Sequence, residues 1–192
     1  MMIQIQQEEK LNLGAKKFNM WIFVFTSFMF FAALTSGFIV YSGGRGHALH
    51  LILPNAFIYS TACIILSSVT LFIASGAAKG LQFAKQRLYL WLTLLFGVLF
   101  LIIQVYAWIT LINMGVYFVN NNASQSFIYV FTGMHLVHII AGLLLLGNAL
   151  KGSYKNIPQV KNLFRMEMSS IFWHFVDIIW IYLYVFLLLN QY

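Results

Sequence analysis

The fold class this sequence predicts is all-α: a polytopic membrane protein built as a bundle of five spanning helices. Three observations predict it. The 192 residues are 61% hydrophobic and only 8% charged, too few charges to cover the surface of a soluble domain of this size. The mean hydropathy is +0.85. The apolar residues also gather into five runs of ~20 residues or more, the length a helix needs to cross a hydrocarbon core. Runs of that length favour helices over the shorter strands of a membrane barrel.

The first run covers 19–41, behind the polar stretch "MMIQIQQEEKLNLGAKKF". A secretory signal places its charges first, then a short apolar core and a small-residue cleavage site. Residues 1–17 do not follow that order, so they read as an N-terminal segment ahead of a retained first span. The second run, 51–75, follows "SGGRGH" at 42–47, and the third, 88–112, follows "SGAAKG" at 75–80. "NNNASQ" at 120–125 precedes the fourth run, 126–150, and "KGSYKNIPQVKN" at 151–162 precedes the fifth, 167–189. These breaks carry Gly, Asn, Ser and Pro, the residues of turns. None is long enough to fold separately, so residues 18–192 are expected to form one membrane domain. The single cysteine, Cys63, lies inside the second run and reads as a small packed residue.

The net charge of +7 would suggest nucleic acid in a soluble chain. In a membrane chain it reports topology, because basic residues collect on the cytoplasmic side. Lys10, Lys16 and Lys17 precede the first span; Lys79, Lys85 and Arg87 fall in the second loop; Lys151, Lys155, Lys161 and Arg165 fall in the fourth. Only Arg45 falls on the other side, ten against one. The N-terminus is therefore expected in the cytoplasm and the C-terminus outside, in the periplasm of a bacterium.

Few ionisable residues enter the spans. They are His135 and His138 in the fourth, and His174 and Asp177 in the fifth, with Glu167 where that span leaves the cytoplasmic side. A charge at the centre of a spanning helix costs about 2.5–3.5 kcal/mol on insertion scales, so each of these calls for a partner or a task. At ~1.5 Å rise per residue, Asp177 and His138 reach similar heights near the midplane. Residues three apart share a helix face. The fourth and fifth spans are therefore expected to present a polar ladder to each other, because consecutive spans on a short loop usually pack together. Three readings compete for it: a haem or metal site, a proton or transport path, and an interhelical polar clamp. The clamp is preferred, since no third metal ligand is evident and these few groups can satisfy one another. His47 and His50, at the first external loop, read as surface or interface histidines. Trp91, Trp108, Trp173 and Trp180 read as interfacial or bulky packing residues. Ala32, Ala33, Gly37, Gly142 and Gly147 read as sites of close helix contact.

The motifs resemble a known family. Glu167, His174, Asp177 and Trp180 form the pattern E-x6-H-F-V-D-x2-W, similar to the last helix of subunit III of haem–copper oxidases. Thr132, Gly133, His135, His138 and Gly142 form T-G-x-H-x-x-H-x-x-x-G, which resembles the helix before it. Gly97, Phe100 and Gln104 match a G-x-x-F-x-x-x-Q helix, and "LPNAFIYSTACIILSSVTL" resembles the one preceding that. The likeness runs in order from about residue 17 to 189.

It implies the short bacterial type, which lacks the first two of seven helices, so the cleft that holds lipid in larger members is expected to be missing or differently closed. Two family glutamates are missing: Ser27 stands at one position, in "TSFMFF", and Ala107 at the other, in "QVYAW". The resemblance implies a non-catalytic subunit of a proton-pumping cytochrome c or quinol oxidase in the bacterial inner membrane. No catalytic, cofactor-binding or metal residue is expected on this chain. Haem and copper belong to subunit I and its partners, and bound phospholipid is compatible with the family. The expected partners are subunit I first, then subunit II and other respiratory subunits. Thr132, Gly133, Gly142, Gln104, Trp173 and Trp180 are expected to serve packing. Two other functions stay open at this point: a subunit III-like partner of a nitric oxide reductase, and an independent small transporter. The sequence shows neither the internal repeats nor the broken helices common in transporters.

Overall fold

A computed structural model describes residues 2–43, 53–119, 122–154 and 158–191, with the side chains of the first helix described from Leu13 onward. Five helices follow one another: α1 (Met2–Ser42), α2 (Ala56–Lys79), α3 (Phe83–Asn113), α4 (Ala123–Tyr154) and α5 (Gln159–Leu189). All five are long and apolar enough to cross a membrane, and no strand occurs among the described residues. Arg45, His47, His50 and Lys155 lie outside the described residues.

Most helices outrun their apolar stretches, because backbone hydrogen bonding continues until a cap or a breaker stops it. The 31 residues of α5 would span roughly 46 Å. That exceeds a hydrocarbon core of ~30 Å by more than two turns. Polar stretches expected as loops, such as 151–154 and 75–79, are therefore helical. The exception is α2, which begins at Ala56 and not at 51. Pro54 disfavours helical backbone in the residue before it. The helix starts just beyond, with the Phe57 N–H donating to the Pro54 carbonyl at 3.1 Å. The N-terminal residues from Met2 continue α1 without a break.

The hairpins α2–α3 and α4–α5 pack side by side, α2 on α5 and α3 on α4, closing a four-helix square. α1 lies in the outer groove of α4 and α5 and makes no packing contact with α2 or α3 among the described residues. It runs parallel to α5: Lys17 pairs with Glu167 near one end, and Thr35 Oγ1 meets the Tyr182 hydroxyl at 2.7 Å further along. Up–down packing brings the start of α1, α3 and α5 and the finish of α2 and α4 to the same end. Lys16, Lys17, Lys79, Lys85, Arg87, Lys151, Lys161 and Arg165 all sit at that basic end.

The turn between α2 and α3 is tight. Leu81 takes a left-handed φ of 57°, a conformation costing roughly 1–2 kcal/mol in a residue with a Cβ. It lets the Gln82 N–H reach back to the Ala77 carbonyl at 3.0 Å.

Candidate functional site

The expected ladder is divided in the structure. His135 is fully buried among Phe31, Phe100 and Trp180, with ring centroids 6.4, 5.7 and 4.9 Å away. Neither of its nitrogens makes a hydrogen bond. His138 turns to α1. Its Nδ1 lies 2.8 Å from the Met134 carbonyl, which only accepts, so Nδ1 carries the proton. In the neutral ring Nε2 then accepts from the Ser27 hydroxyl at 3.3 Å.

On α5, His174 turns to α2, its Nδ1 2.7 Å from Ser68 Oγ and 3.9 Å from Asp177 Oδ2. Asp177 is 4% exposed. Ser68 faces it, but that hydroxyl is engaged by His174, and no donor meets either carboxylate oxygen. Glu167 pairs with Lys17 at the exposed basic end.

The polar contacts therefore link α4 to α1, α5 to α2, and α5 to α1. None of these ladder contacts joins α4 to α5, where a hydrogen bond runs instead from Ser169 Oγ to the Leu145 carbonyl at 3.1 Å; this corrects the expected clamp between the histidines and carboxylates of those two helices. The reason is angular: residues three apart stand about 60° apart around a helix. In a helix with several neighbours, that offset turns them toward different partners.

The packing residues of the same motifs form two layers. Trp173 is fully buried and donates Nε1–H to Ser67 Oγ at 2.9 Å. Its six-membered ring approaches two glycines closely. A Cβ on Gly142 would stand 2.8 Å from Trp173 Cε3, and one on Gly97 would stand 2.8 Å from Cη2. Two turns along, Trp180 donates to Thr61 Oγ1 at 3.0 Å. It stacks on Phe57 and meets Phe100 edge-on. Thr132 accepts Trp108 Nε1–H at 2.9 Å and donates to the Ile128 carbonyl. The nearest atom to a Cβ on Gly133 would be 3.9 Å away, again on Trp108. Gln104 is buried with both amide atoms unpartnered. Ala107 is buried as well.

Of the tryptophans singled out in the sequence, Trp173 and Trp180 are buried, while Trp91 is 57% exposed. Gly37 and Gly147 meet nothing within 4 Å of a built Cβ, so they do not seat a neighbouring helix as Gly142 does. Sequence reasoning passed over the α2 hydroxyls of Thr61, Ser67 and Ser68. Their signal is the six-residue spacing of Thr61 and Ser67, which answers the seven-residue spacing of the tryptophans on an antiparallel helix. It also missed the buried amide pair Gln86–Asn162, joined at 3.4 Å. Arg87, which donates Nε–H to the Ser153 carbonyl at 3.0 Å and lies 4.5 Å from the Tyr154 ring centroid, was read only for its charge.

These features define a class: a five-helix membrane protein whose intramembrane polar side chains turn inward onto neighbouring helices. Among the described residues, no three His, Cys, Asp or Glu side chains converge to hold a metal ion. The chain belongs to the cytochrome c oxidase subunit III family, whose model matches residues 6–191. It is 28% identical to the cytochrome bo(3) ubiquinol oxidase subunit 3 of Buchnera aphidicola subsp. Acyrthosiphon pisum, over 95% of this chain and 90% of that one. The cytochrome c oxidase subunit 3 of Bacillus subtilis is 25% identical over 92% of this chain and 87% of its own length. That of Corynebacterium diphtheriae is 31% identical, with coverages of 85% and 82%. The resemblance read from the C-terminal motifs is thus established at the level of family.

Proposed function

We propose that this chain is the non-catalytic subunit III of a proton-pumping terminal oxidase that reduces oxygen to water. It packs against the haem- and copper-bearing subunit I, steadies it, and supports proton supply from the cytoplasmic side. The observation that carries this reading is the family match along residues 6–191. Gathering of the described basic side chains at one end supports a cytoplasmic N-terminus and periplasmic C-terminus in a bacterial inner membrane. The contacts of His138, His174 and Glu167 act as pins of helix register, and Trp173, Trp180, Gly142 and Thr132 as packing. The relatives' names include both cytochrome c and ubiquinol oxidases, so the electron donor is a property of the partner subunits.

A tag on this chain, purification in mild detergent and an absorption spectrum test the proposal. The expected result is a co-purifying larger subunit with haem bands, in a complex that consumes oxygen. A complex that instead turns over nitric oxide would transfer the chain to a reductase. A colourless, monodisperse species of 22.0 kDa would overturn the reading.

A further inference from the structure

A crevice of about 630 Å³ enters the bundle between α2 and α5. Ser75, Gly76 and Lys79 line one wall, and Glu167, Ser170 and His174 the other. Lys79 and Glu167 belong to the basic end. His174 lies seven residues further along α5, roughly 10 Å deeper. Its side chain is 33% exposed, while that of Asp177, the next polar group inward, is 6% exposed. The crevice thus ends on an imidazole that stands between it and a buried carboxyl with no hydrogen-bond donor. A carboxyl left unpartnered in an apolar interior is costly enough to imply a task.

The surroundings limit what else could serve that carboxyl. On α4, His138 is committed to Ser27 and the Met134 carbonyl, and His135 is enclosed by aromatic rings. α1, α2 and α3 carry no charged residue between 18 and 42, 56 and 78, or 88 and 113. Lys79 and the Lys17–Glu167 pair stand at the mouth.

We propose that the α2/α5 crevice is a hydrated inlet through which His174 passes protons between the basic end and the Asp177 carboxyl. Water in the crevice gives a proton to Nε2 of the neutral ring. The imidazolium then releases its Nδ1 proton to the Asp177 carboxylate, leaving a neutral ring and a neutral acid. Ser68 holds Nδ1 at 2.7 Å, on the side of the ring that faces Asp177. The 3.9 Å gap from Nδ1 to Oδ2 closes with a small rotation of either side chain. A ring flip or the reverse passage restores the tautomer. The inference deepens the proton-supply part of the function proposed above, but it rests on the crevice and not on oxygen chemistry.

The test follows hydrogen–deuterium exchange of the Asp177 carboxyl by infrared difference spectroscopy on the full chain in the complex with which it purifies. The band is assigned by its loss in Asp177→Asn. It should shift promptly in D2O in the native protein. In His174→Ala the shift should slow by roughly 10²-fold, the lower range of what a positioned acid–base group contributes. Added imidazole should restore it through the crevice. Gly76→Leu plugs the same space at a position where a Cβ meets nothing within 4 Å, so this variant should fold, exchange slowly and resist imidazole rescue.

Exchange unchanged in both variants would overturn the inlet, as would a band at this carboxyl that never exchanges in the native protein. So would a phospholipid, found by native mass spectrometry, that fills the crevice and is lost in Gly76→Leu while exchange stays fast. None of these outcomes depends on whether haem co-purifies, so failure of the inlet and failure of the oxidase assignment are separately visible.

Discussion

Trp173 and Trp180 stand two turns apart on α5, both buried, and each gives its indole proton to a hydroxyl of α2. Their surroundings differ in kind. Around Trp173 the fit is steric: two glycines on α3 and α4 clear a space the width of the ring, and its polar atom is satisfied. Around Trp180 the neighbours are Phe57, Phe100 and His135. Unpartnered polar atoms lie on the same helices: Gln104 four residues beyond Phe100, His135 itself, and Asp177 one turn before Trp180. The first layer is built for density, whereas the second keeps polar groups where apolar ones would be more stable. A membrane interior gives no water to such groups, so their presence marks something other than stability.

Substitutions can break or sharpen that contrast. The largest expected effect is Trp173→Ala, which should cost about 3–5 kcal/mol, as removal of a large buried ring does. Chemical denaturation of the detergent-solubilised complex would measure it, and a cost below that of Trp180→Ala would erase the distinction. Next comes Gly142→Ala, expected to destabilise by about 1–3 kcal/mol through overpacking against the indole. Gly147→Ala, with open space at its Cβ, should stay within ~0.5 kcal/mol of wild type. His135→Leu should be neutral or stabilise by about 1–2 kcal/mol, because it removes unpaired polar atoms from an apolar cage. A loss of that size instead would mean that His135 has a partner in the assembled complex. Smallest is Lys17→Ala: its pair with Glu167 is exposed and should contribute less than ~1 kcal/mol. A salt titration of thermal stability would detect its screening.

Most of the fold was legible because hydropathy reports what a bilayer requires: the five spans follow from length and composition alone. Helix ends were not, since they depend on capping and on Pro54 more than on apolarity. For the site, the motif residues were visible but their partners were not. His138 and His174 each found a hydroxyl, on Ser27 and Ser68. A serine in an apolar run gives no signal about the direction it faces. The height of His138 near Asp177 suggested contact across α4 and α5, but height leaves rotation about the helix axis unspecified. Gly142 was legible as a site of close contact, but that it and Gly97 both make room for the Trp173 ring was not.

The placement of α1 has a consequence for synthesis of the chain. Its contacts reach across 111 residues to His138, 147 to Tyr182 and 150 to Glu167, and among the described residues it touches neither α2 nor α3, which follow it in the chain. At ~5–20 residues per second, roughly 7–30 seconds separate its synthesis from that of its last partner. Over that interval Ser27 and Thr35 are without their partners His138 and Tyr182. The α2–α3 hairpin can close meanwhile, and α4 and α5 arrive to complete the square and the groove together. Among these five helices, α1 is thus the one whose partners are furthest away in sequence.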